Sequence, residues 1–303
     1  MLRFVWSQYR TWAITSRALK ARLTKSGLIV LYLTVGGTAI GALSPLLAVP
    51  ANSLLTKVLP WVAAVSLGIA AYLTSQLLSE SERQAWAKAR AVAEALKSES
   101  YKYLTAAPPY DAPNAAQLLG RRVEELQRVL PGILPEQIPA EESARGMPEG
   151  PMTVSDYSDK RIREQIANYY RPAIVRHRAA LSQAKTVVLA VGIVAVVLSA
   201  GVATIGSWAA AGLGIVTTAA ATLGAWFQSG RHQQIALNYQ AAITKLELLL
   251  AGDRTTGLAE KQLVVEAEAV FQAEHAAWLA EWQSVAPPAS SEKVVATVPA
   301  ETP

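Results

Sequence analysis

Long apolar stretches without a single charged residue constrain this chain more than any other feature. Gly27 to Val49 and Val58 to Leu78 contain no Asp, Glu, Lys or Arg, and neither does the run from Thr186 to Phe227. A helix needs about 20 apolar residues to cross ~30 Å of hydrocarbon. The first two stretches each have that length, and the third accommodates two such helices if a tight turn lies within Gly201 to Ser207. The expected spans are therefore about 27–49, 58–78, 186–206 and 208–227, arranged as two hairpins. Composition agrees: 51% of the 303 residues are hydrophobic and 17% charged, unlike an ordinary soluble domain. Buried hairpin helices of a globular core are the soluble alternative, but uncharged runs of this length are uncommon there.

Charge placement predicts orientation. No Asp or Glu precedes Glu80, whereas Arg3, Arg10, Arg17, Lys20, Arg22 and Lys25 precede the first span and only Lys57 stands in its hairpin loop. Arg171, Arg176, Arg178 and Lys185 precede the third span, and Arg231 follows the fourth. By the positive-inside rule both hairpins dip outward from the cytoplasm, with the amino terminus, central segment and carboxyl terminus inside. A cleaved signal peptide fits the amino terminus less well than a retained anchor, because the basic region and the span are both long. The absence of cysteine excludes disulfides, thiolate metal sites and a cysteine nucleophile.

Outside the spans the periodicity is helical. Trp86, Ala89, Ala93, Leu96 and Tyr103 predict a helix running straight out of the membrane, with Arg90 and Glu94 paired on its surface. Leu119, Val123, Leu126 and Leu130 mark a short helix stopped by Pro131 and Gly132. A Pro-rich linker is expected over 131–152. Ser155 is the expected N-cap of a helix carrying Tyr157, Arg161, Gln165 and Tyr169 at four-residue intervals, interrupted or kinked at Pro172. Ile235, Tyr239, Ala242, Leu246 and Leu249 form another stripe, ended by Gly252. A last helix, about Leu258 to Trp282, places Glu266, Val270, Glu274 and Trp278 at four-residue intervals, and 284–303 reads as a disordered tail. The domain reading is a first two-span module at 1–130, the linker, a second module at 153–283, and the tail. Tyr9, Arg10, Arg17 and Ala18 correspond to Tyr170, Arg171, Arg178 and Ala179 at one constant offset, which suggests that the modules are parallel repeats.

The Tyr157, Arg161, Gln165, Tyr169, Tyr170 series leading into an apolar hairpin resembles the SLATT superfamily of two-transmembrane effector domains that associate with SMODS and SLOG proteins. Glu266, Phe271, Glu274 and Trp278 resemble the acidic, tryptophan-containing end of those domains. Trp86, Arg90, Glu94, Leu96, Lys97 and Tyr103 resemble the helix after the hairpin in a related member, so the likeness covers two tandem modules. It implies a bacterial inner-membrane protein whose relatives are proposed to perforate membranes in nucleotide-signalled defence. No nucleotide-making or nucleotide-sensing motif stands in this chain, so a trigger would come from a separate signalling or sensor protein.

The residues offer little for catalysis: no phosphate-binding glycine loop, no paired-histidine metal motif and no nucleophile with a base, so a non-enzyme without cofactor or metal is expected. His177 and His232 fall in basic membrane flanks and His275 on a helix surface, where packing is the simpler explanation. Thr34 with Thr38, and Thr218 with Thr222, share helix faces and are candidates for a polar path, although membrane hydroxyls commonly bond their own backbone. Gly37 with Gly41, Ala64 with Gly68, and Ala210 with Gly214 have the small-xxx-small spacing of helix contacts. Four spans scarcely enclose a wide pore, so a pore implies a homo-oligomer. Arg161 is expected to pair with Glu274 or Glu266 between the cytosolic arms, and the basic amino-terminal helix to touch anionic lipid, with nucleic acid a less favoured partner. The fold class expected is all-α and polytopic, with long cytosolic helices forming a bundle. A non-conducting scaffold or sensor is the alternative function, and a small transporter is a third, disfavoured by the uncharged spans.

Overall fold

The computed structural model describes residues 1–46, 54–128, 130–252 and 260–283. Those residues form helices joined by short connections, with no strand among them. Four helices are long and apolar enough to cross a membrane. The protein is thus an all-α, multi-pass membrane protein with an extramembrane helical bundle.

Helix α1 (Leu2–Leu43) is one continuous rod of 42 residues, about 63 Å at 1.5 Å per residue. Its amino-terminal half has an apolar stripe including Val5, Trp6 and Trp12, which is buried in the bundle, while the half from Gly27 onward is the first span. Its partner α2 (Leu54–Leu77) returns across the membrane. The expected first span outlasts the helix, which ends at Leu43, and half of the expected hairpin loop, 50–53, lies outside the described residues, while the rest, 54–57, belongs to α2. After α2 the chain does not run straight on. Ser79 has extended backbone geometry and starts a separate helix, α3 (Glu80–Leu104), whose first turn carries Glu80 and Glu82 against the positive helix end. A short α4 (Ala115–Gln127) packs Leu119 and Val123 against α1 and α3, forming a core with Val5, Trp12, Val92 and Leu96.

The Pro-rich segment is laid along α1 and does not behave as a free spacer. It includes one helical turn, α5 (Ala140–Ala144), and Arg10 pairs with Glu142. The Trp6 indole donates to the Arg145 carbonyl at 3.2 Å, and the Glu136 amide donates to the Thr15 hydroxyl at 2.9 Å. Prolines keep the segment extended, leaving its backbone groups to be answered by α1 side chains.

The second module opens with α6 (Val154–Tyr157), whose cap is Thr153 and not Ser155: the Thr153 hydroxyl accepts the Asp156 amide at 3.1 Å. Two π-helical stretches follow, Ser158–Arg163 and Ile166–Tyr170, before α7 (Arg171–Ile205). Pro172 lies in the first turn of α7, directly after the wider turns of the second π stretch, and the helical path continues through the proline. Helix α8 (Ser207–Ser229) follows after a one-residue turn. Gly206 has φ +73, a conformation that a side chain disfavours, and Gly201 to Ile205 remain helical, so the turn is shorter than the sequence suggested. Helices α9 (His232–Gly252) and α10 (Glu260–Gln283) return to the bundle. Leu258 and the tail 284–303 lie outside the described residues.

Within the membrane α1 packs against both α2 and α8, joining the hairpins, while the span of α7 leaves Val188, Leu189, Ile193, Val196 and Val197 exposed. Exposed aliphatic side chains in this number suit lipid and not water. Gly37 faces α2: a Cβ there would meet Leu67 and Ser66 at 3.1 Å, and one at Gly41 would meet Ala63 at 3.5 Å. The other two small-residue pairs turn away from the helix contacts, since Ala64, Gly68, Ala210 and Gly214 are exposed. Their neighbours make the contacts instead: Ala63 and Ala209 are buried, and Gly212 lies against Leu198. Spacing alone specifies a face but not which face meets the partner. Gly37→Leu should therefore force α1 from α2 and destabilise the protein by about 1–3 kcal/mol, whereas Gly68→Leu should be tolerated; thermal unfolding of both variants in detergent would distinguish them.

Candidate functional site at the junction of the two modules

The two modules do not form separate cores. Trp6, Trp86, Tyr101, Tyr157, Ile162, Tyr170, Tyr239, Leu246, Leu263 and Phe271 belong to one cluster that draws on α1, α3, the helix entering α7, α9 and α10. Charged side chains are buried inside it.

At its centre Arg161 meets Glu268. The guanidinium donates through Nε to Glu268 Oε1 at 2.9 Å and through Nη2 to Oε2 at 3.1 Å, and the two side chains are 2% and 1% exposed. The Tyr157 hydroxyl donates to the same carboxylate at 2.9 Å. The rings of Phe271 and Tyr101 lie 4.3 and 4.9 Å from the guanidinium carbon, closing its faces. Burial by itself would lower the Arg161 pKa, but the Glu268 charge and hydrogen bonds outweigh it and hold the guanidinium above its ordinary range. Tyr157 is pushed well up, first by burial and then by Glu268.

The expected partners of Arg161 are corrected here. Glu266 accepts a hydrogen bond from Gln262 on its own helix, and Glu274 is met by Tyr170 at 3.5 Å and His275 at 3.2 Å. Positions buried on α10 are Leu263, Val264, Ala267, Glu268, Phe271, Glu274 and His275, which follow the 3.6-residue period. A strict four-residue series drifts by about 40° per step relative to that period, so Glu266 and Glu274 do not share a face. The apolar stripe Leu263, Val264, Ala267, Phe271 held the signal for Glu268.

A second group links α3 to the other module. Arg90 donates to the Tyr169 hydroxyl at 3.0 Å, and Tyr169 and Tyr239 share a hydrogen bond of 3.1 Å. Glu94 faces His275 at 3.5 Å. Arg90 and Glu94 accordingly point into the junction and not onto an open surface, and His275 is buried at 9% exposure. Burial would raise the Glu94 carboxyl, but the His275 hydrogen bond and the nearby Lys97 and Arg161 charges overcome it and hold it below the carboxylate range. Glu274 is raised, chiefly by burial, against the opposing pull of His275. Lys97, over the Tyr9 ring, is lowered to about 8 by burial and then by Arg161. Gln165 is partly buried between the π stretches, and the Trp278 side chain lies outside the described residues.

Nearer the membrane, His177 and His232 approach with their Nδ1 atoms 2.7 Å apart. Burial, then His232 and Lys20, pushes His177 down to about 4. Of the candidate path threonines on α8, Thr218 donates to the Gly214 carbonyl at 2.9 Å and Thr222 to the Thr218 carbonyl at 2.7 Å. Thr34 and Thr38 are partly buried on α1. Among the described residues no group of three His, Cys, Asp or Glu is placed to hold a metal ion. What this arrangement provides is a desolvated ion pair inside the second module, to which α3 of the first module is tied through Tyr101, Arg90–Tyr169 and Glu94–His275.

Arg161→Met should cost about 3–5 kcal/mol by leaving Glu268 buried without its partner, and Arg161→Met with Glu268→Leu should recover most of that loss in thermal unfolding, whereas Glu266→Ala should be nearly neutral. For His177, the folded-state value of about 4 lies below the ordinary 6.5. The unfolded chain then binds the extra proton first, so its stabilising contribution is complete above pH 6.5 and is lost as pH falls toward 4. Glu274, raised from 4.5, acts in the opposite sense, so the test is a comparison: His177→Gln should flatten the fall in melting temperature between pH 6.5 and 5 relative to the parent.

The family model for SMODS and SLOG-associating 2TM effector domain 3 matches residues 15–154, and that for SMODS and SLOG-associating 2TM effector domain 1 matches residues 157–278. No curated protein and no solved structure matches the chain.

Proposed function

We propose, from the premise that this chain belongs to the SMODS and SLOG-associating two-transmembrane (SLATT) effector family and carries two such domains in tandem, that it oligomerises and permeabilises the bacterial inner membrane when a cytosolic signal rearranges its bundle. The family makes it a membrane effector. The observation supporting this mode of action is that α1 and α7 each run without a break from the ion-paired bundle into a span, so a shift at the Arg161–Glu268 joint is carried into the bilayer as a rigid displacement. Four apolar helices are too few to surround a wide channel, and a pore therefore requires several copies. The basic flanks support a topology with both termini and the bundle in the cytoplasm, where a separate nucleotide-signalling or sensor protein would act. The residues suggest no catalytic role, and a non-enzyme is part of this reading.

A non-conducting scaffold or sensor that recruits cytosolic partners is the second reading, favoured by the hydroxyls of Thr218 and Thr222 being spent on their own helix. Controlled expression in bacteria, with membrane potential and dye uptake followed beside an expression-matched Thr38→Arg variant, separates the two. Rapid depolarisation of the parent, altered by the substitution, is the result expected of an effector pore. Correct insertion without leak, including after disruption of the joint by Arg161→Met, would favour the scaffold.

A further inference from the structure

A cavity of about 510 Å³ lies where both hairpins leave the bundle. Gly27 and Leu78, at the two ends of the first hairpin, and Gly230, just after the second, all contribute to its wall, so it sits at the membrane boundary between the modules. Among the described residues, Lys20, Arg83, Arg90, Arg176, His177 and His232 line it, and no carboxylate does. Trp86, Tyr169 and Tyr239 supply flat apolar surface beside these donors. The volume falls within the ~300–1,000 Å³ usual for small-molecule sites.

Gathering cations at one place is unfavourable without an opposing charge. Elsewhere in this chain that charge comes from carboxylates, as Glu268 does for Arg161 and Glu142 for Arg10. Here it does not. Lys20 is lowered by burial and then by Arg90 and Arg176, which is the mark of cations converging on one space. His232 is likewise lowered by burial and by Lys20. The two imidazoles are held close to each other, and as neutral rings they add an N–H donor beside the cations.

We propose that this pocket binds the phosphate group of an anionic ligand, taken from a phospholipid headgroup or from a soluble phosphate compound. Arginine and lysine side chains answer phosphate with charge and hydrogen bonds, and the aromatic wall suits the apolar part attached to it. Because α1, α3, α7 and α9 all contribute, an occupied pocket ties the two modules together at the level from which the spans depart.

The test uses the full chain in nanodiscs of phosphatidylcholine. In one arm phosphatidylglycerol is added to the discs and its retention is read by native mass spectrometry; in the other, inorganic pyrophosphate is titrated and the heat of binding measured. Lys20→Gln with Arg176→Gln should weaken the bound probe by about thirtyfold, on the basis of the attraction per basic residue. Charge-matched Arg121→Gln on α4 with Arg128→Gln at its carboxyl-terminal cap should leave it unchanged, and the charge-retaining Lys20→Arg with Arg176→Lys should preserve binding. Retention of phosphatidylglycerol with this pattern assigns the pocket to lipid, and pyrophosphate binding with this pattern assigns it to a soluble ligand. Failure of the parent to bind either probe, or equal weakening by the pocket and α4 variants, would overturn the proposal. Binding is read independently of leak, so its outcome is separate from that of the effector reading.

Discussion

A guanidinium that is 2% exposed must be answered where it lies, and in this protein the answer organises everything around it. Arginine does not shed its proton in a protein, so Arg161 enters the core charged or not at all. Glu268 meets it with both oxygens, Tyr157 takes a further lone pair, and Tyr101 and Phe271 cover the faces. Tyr101 comes from the first module and the other four residues from the second. The ion pair therefore sets the position of α10 against the start of the second module, and the ring of Tyr101 brings α3 to the same point. Such a pair gives little net stability over an apolar replacement, but it makes any other registry expensive, because a shifted α10 would leave two charges buried and unmatched.

The membrane imposes the second constraint. A span has no water to satisfy its backbone, so the chain crosses only as complete helices and can turn only at their ends. The second hairpin turns on Gly206 alone, and the long rods α1 and α7 keep their hydrogen-bond ladders from bundle to bilayer. Rigidity follows from that continuity. The bundle and the spans are consequently one mechanical object, with the ionic joint at one end, the lipid-facing valines of α7 at the other, and the basic pocket between them.

Much of this was legible in the sequence because it depends on short-range sums. Four spans, their pairing as hairpins, the helices beyond them and the likeness to SLATT domains could all be read from runs and periods of local residues. The contacts were harder. Small residues at Ala64, Gly68, Ala210 and Gly214 had the right spacing and the wrong direction, and the Pro-rich segment looked like a spacer although α1 holds it through Arg10, Trp6 and Thr15. Thr153, two residues before the expected cap, took that role because its hydroxyl reaches the Asp156 amide.

By itself, the sequence determined that this chain crosses a membrane, since desolvating charge and backbone costs so much over each stretch of about 20 residues that no distant contact can reverse the outcome. Only the tertiary structure decided which carboxylate serves Arg161, which face of each span meets its neighbour, and that Lys20, Arg83 and Arg176 from three separate helices border one cavity. Those choices turn on rotations of about 100° per residue and on the approach of segments far apart in the chain, and local composition is blind to both.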